Sequence, residues 1–150
     1  MSTDDKNFHK YDLGNQLHLA FIALTETLNQ ELRQAGLDLV HPQFTIIQAV
    51  FRHPGMSQTE LAQRTAKDGA AMARSVACLE KRGLLERKWL NGCTKGVFAT
   101  DRAKKLQSLL DEAIRKTLDR ACAGFEEEDV DPEPFENPDN PGCQRIRFKK

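Results

Sequence analysis

The sequence has no net charge: 22 Lys and Arg residues stand against 22 Asp and Glu. Taken whole, that balance excludes a uniformly basic nucleic-acid binder and an acidic solvating chain. No apolar run exceeds Leu19–Leu24, far short of the roughly 20 residues a membrane span needs. The opening Met1-Ser2-Thr3-Asp4-Asp5-Lys6 is polar and acidic, which argues against a secretory signal. Cys78, Cys93, Cys122 and Cys143 form no paired motif, so reduced thiols in a cytoplasm are expected. His9, His18, His41 and His53 show no metal-ligand spacing. A nucleophile elbow, a phosphate-binding glycine loop and a metal motif are likewise missing. These gaps predict a non-enzyme with no cofactor, no metal and no membrane association.

The zero charge hides an uneven distribution. Residues 51–105 hold 12 basic and 5 acidic residues, a net of +7, and the remainder carries −7. Eight acids and no base fall within residues 126–139. A basic working region followed by an acidic tail is the expected reading, against the bland one of a solvated surface.

Leu13, Leu17, Phe21, Leu24, Leu28 and Leu32 recur every three or four residues, which predicts an amphipathic helix ended by Gly36. His41-Pro42 opens a second helix with an apolar face of Phe44, Ile47, Val50 and Phe51, closed by His53-Pro54-Gly55. Ser57-Gln58-Thr59-Glu60 has the form of a capping box and starts a short third helix. Asp68 caps a fourth, with Met72, Val76 and Leu79 inward and Gly83-Leu84 as its stop. Leu85–Leu90, Asn91-Gly92 and Val97–Ala99 then read as a hairpin. Thr100 caps a last helix running to about Phe125, and an acidic, proline-rich tail over 126–150 is expected to be disordered or irregular.

This order predicts a mainly α fold with a small β-hairpin wing (α+β), a winged helix-turn-helix. The first helix of the pair braces the second, whose outer face enters the major groove. That face holds Gly69, Ala70, Ala71, Ala73, Arg74 and Ala77, small residues that allow close approach to base edges. Arg74 is its only long donor, suited to bidentate contact with guanine. Gln58 and Thr59 at the bracing helix start are expected on phosphates, with Lys67, Lys81, Arg87, Lys88 and Lys95 adding charge.

Gln58–Ala62, Met72–Arg87, the approach Leu39–Phe44 and the exit Phe98–Ala103 resemble the MarR family of bacterial transcription regulators. The resemblance spans roughly residues 13–125. It implies dimerisation helices at about 12–35 and 101–125 around a DNA-binding lobe at about 42–100. It further implies a homodimer on a palindromic operator in double-stranded DNA, usually repressing and released by a small aromatic ligand or an oxidant.

Three departures stand out. Ala70, Ala71 and Ala73 occupy positions where the family usually carries Ser or Thr, so fewer direct hydrogen bonds remain and shape readout gains weight. The wing tip Asn91-Gly92-Cys93-Thr94-Lys95 lacks the family's arginine, leaving Lys95 as the obvious substitute. Where the family continues into another dimerising helix, Asp131-Pro132-Glu133-Pro134 would break one. Dimerisation is then expected to lean on the Leu13–Leu32 and Leu106–Leu118 segments.

Cys93 is the most exposed thiol the sequence places, and a spectator role is expected over redox sensing. Cys78 is expected at the packed edge of the recognition helix. Trp89 and Phe98 are expected to anchor the wing to the core. His18 lies beside the first apolar stripe, as an interface histidine or facing a ligand cavity. The rivals to a ligand-released regulator are a winged-helix protein–protein module and a thiol-based redox regulator.

Overall fold

The periodic leucines of the first segment build α1 (Thr3–Gln34), in a computed structural model that describes residues 3–123, with side chains from residue 12, and the backbone of 135–136 and 144–145. The stripe divides. Leu28 and Leu32 are buried, whereas Leu13, Leu17 and Phe21 are 59%, 61% and 55% exposed. Within the chain, the expected apolar face is therefore covered only toward its C-terminal end. Gly36, at φ +73°, closes the helix. Leu37 N–H donates to the Leu32 carbonyl at 2.9 Å and Gly36 N–H to that of Arg33 at 3.0 Å, the paired bonds of a Schellman end.

α2 (His41–Arg52) starts with Pro42 in its first turn. Asn29 of α1 accepts the His41 N–H at 2.7 Å, so a side chain from the neighbouring helix satisfies one orphan donor. Ile46 is fully buried and Phe51 only half-buried, which corrects the expected face. The reason is that α2 lies centrally and touches α1, α3 and the hairpin, so its buried arc is wider than one stripe.

α3 (Gln58–Arg64) and α4 (Gly69–Lys81) form the helix-turn-helix. The capping box is present: Ser57 Oγ accepts from Glu60 N–H at 3.3 Å, and Glu60 Oε2 accepts from Ser57 N–H at 2.7 Å. Those bonds from Ser57 hold the Glu60 carboxyl below its ordinary pKa. Asp68 Oδ1 accepts from Ala71 N–H at 2.8 Å. Between the helices Ala66 takes a left-handed φ of +51°, closed by Lys67 N–H donating to the Ala62 carbonyl at 3.0 Å.

β1 (Leu85–Asn91) and β2 (Thr94–Ala99) pair antiparallel as the wing. Its loop is Gly92-Cys93 rather than Asn91-Gly92, because Asn91 pairs with Thr94 and the register shifts between Trp89 and Asn91. Asn91 Oδ1 accepts from Thr94 N–H at 3.0 Å, fixing that one-residue displacement. At the wing base, Thr100 Oγ1 donates to the Gly83 carbonyl at 2.7 Å while accepting from Ala103 N–H at 3.2 Å. One hydroxyl thus joins the end of α4 to the start of α5 (Asp101–Ala121).

Ile46, Val50, Leu61, Met72, Val76, Leu79, Leu85, Val97 and Leu110 are all at most 2% exposed and belong to one core. Truncating a Leu, Ile or Met among them to Ala costs about 2–5 kcal/mol by the usual loss of transfer energy plus cavity. α1 packs along α5, where the buried Glu31 meets Arg120 at 3.1 Å. Beyond Ala123 the described backbone is one antiparallel pair, β3 (Phe135–Glu136) with β4 (Gln144–Arg145). The expectation of an irregular tail over 126–150 otherwise lies outside the described residues, as does any helix between 124 and 130. Among the described residues, no helix is long and apolar enough to cross a membrane.

Candidate nucleic-acid interface

With Met72, Val76 and Leu79 turned into the core, α4 leaves Gly69, Ala70, Arg74, Cys78 and Lys81 exposed. Ala71, Ala73 and Ala77 are half-buried, so the outer strip is narrower than the sequence suggested. A Cβ added at Gly69 would meet open space, which leaves room at the helix start for a close partner. Arg74 is exposed, and among the described residues no carboxylate lies within ion-pair distance of it, Lys67, Lys81 or Lys95. Thr59 is exposed at the start of α3, and Lys67 is half-buried in the turn.

The other expected donors are already engaged. Arg87 Nε and Nη2 donate to the two Glu80 oxygens at 2.9 and 2.6 Å, and Nη1 donates to Gln58 Oε1 at 3.4 Å. Glu80 pushes the Arg87 pKa up, so the guanidinium stays charged inside this cluster. Lys88 pairs with Glu86 at 2.6 Å and lies 5.7 Å over the Phe98 ring. Lys95 lies 4.6 Å over the Trp89 ring. Sequence reasoning missed Glu80 altogether, because a pair seven residues apart across a helix stop carries no local signal.

Two aromatic and thiol expectations divide. Phe98 anchors the wing, lying 3.1 Å from where a Gly55 Cβ would be, but Trp89 is 63% exposed and anchors nothing in the core. Trp89 instead pairs across the hairpin with Lys95, near the wing tip. Cys93 and Cys78 are both exposed; Cys78 sits one turn beyond Arg74, within 3.9 Å of Gln43 Nε2. Among the described residues, no group of three His, Cys, Asp or Glu side chains converges as metal ligands.

A cavity of about 460 Å³ lies between α1, α2, the end of α3 and α5. Leu24, Leu28, Phe44 and Ile114 supply apolar walls; His41, Arg52, His53 and Arg64 supply its basic ones. His41 and His53 line it, whereas His18 stands exposed on α1 outside it. Phe21 meets the His41 ring edge-on at 5.7 Å. Burial, and then the charge of Lys67, push the His41 pKa down.

Residues 35–88, the helix-turn-helix and the start of the wing, match the family model described as MarR family. Over that segment the chain resembles the MarR family. The uncharacterised helix-turn-helix-type transcriptional regulator YybA of Bacillus subtilis is 27% identical over 120 residues, 79% of each chain. A Mycobacterium tuberculosis MarR family protein solved in complex with DNA has a TM-score of 0.62 at 23% identity, covering 77% of this chain and 86% of that one. CouR of Rhodococcus jostii, solved with p-coumaroyl-CoA, gives 0.68 at 20% identity, covering 77% and 80%. The fold of these solved MarR proteins is the winged helix described above.

Proposed function

We propose that the chain is a cytoplasmic homodimeric repressor that reads a palindromic operator and releases it when a small ligand binds. The observation that carries the reading is the exposed strip Ala70–Arg74–Lys81 on α4, braced from behind by α3 and the wing. Small residues bring the helix axis near the base edges, and Arg74 reaches them with a two-pronged donor. Gly69, Ala70 and Ala71 line the approach; Gln58, Thr59, Lys67 and Lys81 face phosphates, with Lys95 on the wing, while Lys88 on the other wing face adds charge beside Glu86. Arg87 holds that surface together from Glu80 and Gln58.

The dimer reading is supported by apolar side chains that the single chain leaves uncovered. Leu13, Leu17 and Phe21 on α1 and Leu109 and Leu118 on α5 are each more than 40% exposed. Burying such a stripe against a second copy recovers about 25 cal/mol for each Å² removed from water. The ligand reading rests on the cavity between these helices and the DNA-binding lobe. Apolar walls and a basic rim without an acid among the lining residues suit an aromatic body with an anionic group. A ligand filling that space shifts α1 and α5 against α4, and with them the distance between the two recognition helices.

The test is selection of genomic fragments by the purified protein, with its mass measured in solution. The reading predicts a shared two-fold symmetric sequence and a mass twice that of the chain. No retention of DNA at low salt contradicts it, as does a monomer at the concentrations where DNA is bound.

A further inference from the structure

Tryptophan occurs once in this chain, and the fold places it on the wing, largely in water. Trp89 pairs across the hairpin with Lys95, whose Nζ lies 4.6 Å above the indole. Residues two apart on a strand share a face, so Leu85, Arg87 and Trp89 form one row. Leu85 is buried in the core, and Arg87 reaches Glu80 of α4 and Gln58 at the start of α3. Trp89 continues that row outward, on the wing face shared with the helix-turn-helix. Glu86, Lys88 and Phe98 belong to the opposite face, where Phe98 packs against Gly55.

An indole is one of the largest apolar groups a protein can bury, and this fold leaves 63% of the residue open. Its surroundings define what covers it. The ammonium of Lys95 caps the ring, and the tip residues Asn91, Gly92 and Thr94 are small and neutral, so the outer end of this face carries a cation and no acid. A surface that is aromatic and cationic together fits a partner with apolar sugar edges between phosphates. The minor-groove wall of duplex DNA is such a partner, and apolar side chains are known to lie in it. The position also continues the line of Gln58 and α4 rather than turning away from it.

We infer that Trp89 is the wing's own duplex contact, its ring laid on the deoxyribose wall of the minor groove while Lys95 reaches the adjoining phosphate. The inference rests on the DNA-binding reading above. The ring does by apolar contact what an arginine at the tip would do by charge, so this part of the affinity depends little on salt.

Because Trp89 is the only tryptophan, its emission reports the contact directly. A mixed-sequence duplex carrying a far-red dye is titrated with protein at low salt, and dye anisotropy and tryptophan emission are followed in parallel. Emission is expected to shift and to become shielded from acrylamide in step with the anisotropy rise. Trp89→Ala is expected to weaken binding by about tenfold, the worth of one buried aromatic contact, while Trp89→Phe retains most of the affinity. Both variants should melt with the wild type, since the side chain is outside the core. An anisotropy rise with unchanged emission and unchanged quenching overturns the inference and leaves the DNA reading intact. So does wild-type affinity in Trp89→Ala. Emission that shifts with protein concentration alone assigns the ring to contact between copies and equally overturns it. No anisotropy rise with the wild-type protein overturns both readings.

Discussion

Arg87 of the wing holds both oxygens of the Glu80 carboxylate, at 2.9 Å from Nε and 2.6 Å from Nη2, and so ties β1 to the recognition helix. The pair is exposed enough that Arg87→Ala should cost folding only about 0–1 kcal/mol. Its weight lies in what it withholds from DNA. In Glu80→Ala a negative charge leaves the flank of α4 and a guanidinium becomes available to phosphate. Duplex affinity at low salt is expected to rise several-fold, and the log–log salt slope to steepen by about 0.9 for each added phosphate contact. Fluorescence anisotropy across a salt series checks this, and a fall in affinity would mean that Arg87 acts only as a strut.

Ala66 pays for its place in the helix-turn-helix bend. At φ +51° its Cβ crowds the following carbonyl, a conformation that costs an L-residue about 1–2 kcal/mol. Part of that is returned as unfolded-state entropy on going to glycine, so Ala66→Gly is expected to stabilise the fold by about 0.5–1 kcal/mol. Urea denaturation midpoints measure it, and a lower midpoint in the variant contradicts the assignment.

The wing base depends on two glycine backbones lying against each other. A Cβ on Gly96 would stand 2.6 Å from the Gly55 carbonyl oxygen and 3.0 Å from its Cα. Gly96→Ala must therefore part the strand from the α2–α3 loop, which Gly55 N–H to the Val97 carbonyl (2.9 Å) and Val97 N–H to the Met56 carbonyl (2.8 Å) otherwise join. A loss of about 1–3 kcal/mol is expected from such overpacking. Faster amide exchange at Gly55 and Val97 should accompany it, and unchanged exchange would contradict the contact.

His41 makes stability sensitive to acid. Burial and Lys67 lower its pKa beneath the ordinary 6.5, so below that value the unfolded chain binds a proton that the folded chain refuses. Protons then favour unfolding. The His41 contribution is complete above 6.5 and is lost as pH falls from there through the lower folded value. His41→Gln is expected to flatten this limb of the urea midpoint against pH. An imidazole resonance titrating above 6.5 in the folded protein contradicts the direction.

What the sequence made legible was local. Ser57 with Glu60, Asp68 before Ala71, Thr100 before Ala103 and Gly83 before Leu84 announce helix ends within three or four residues, and each forms the bond its spacing implies. Arg74 was likewise legible as the exposed donor of α4, because helical period alone sets it opposite Met72, Val76 and Leu79. What escaped was non-local. The Glu80–Arg87 pair requires the hairpin to fold back on α4, and the Gly92-Cys93 loop depends on where Asn91 spends its side chain. Trp89's place in the wing predicts an anchor, but anchoring depends on what packs over the outer hairpin, which no local pattern states. The division of the α1 stripe at Leu24 has the same origin, since periodicity marks an apolar face without saying which part of the molecule covers it.

The measurement closest to the central claim compares wild-type protein and Arg74→Ala on a duplex selected from genomic fragments and on single-base variants of it. A loss of about 1–3 kcal/mol is expected on the selected site, with discrimination relaxed at one base pair in each half-site. Equal weakening on every duplex would make Arg74 a phosphate contact. Binding that is the same with and without the Arg74 side chain would contradict α4 as the reading helix.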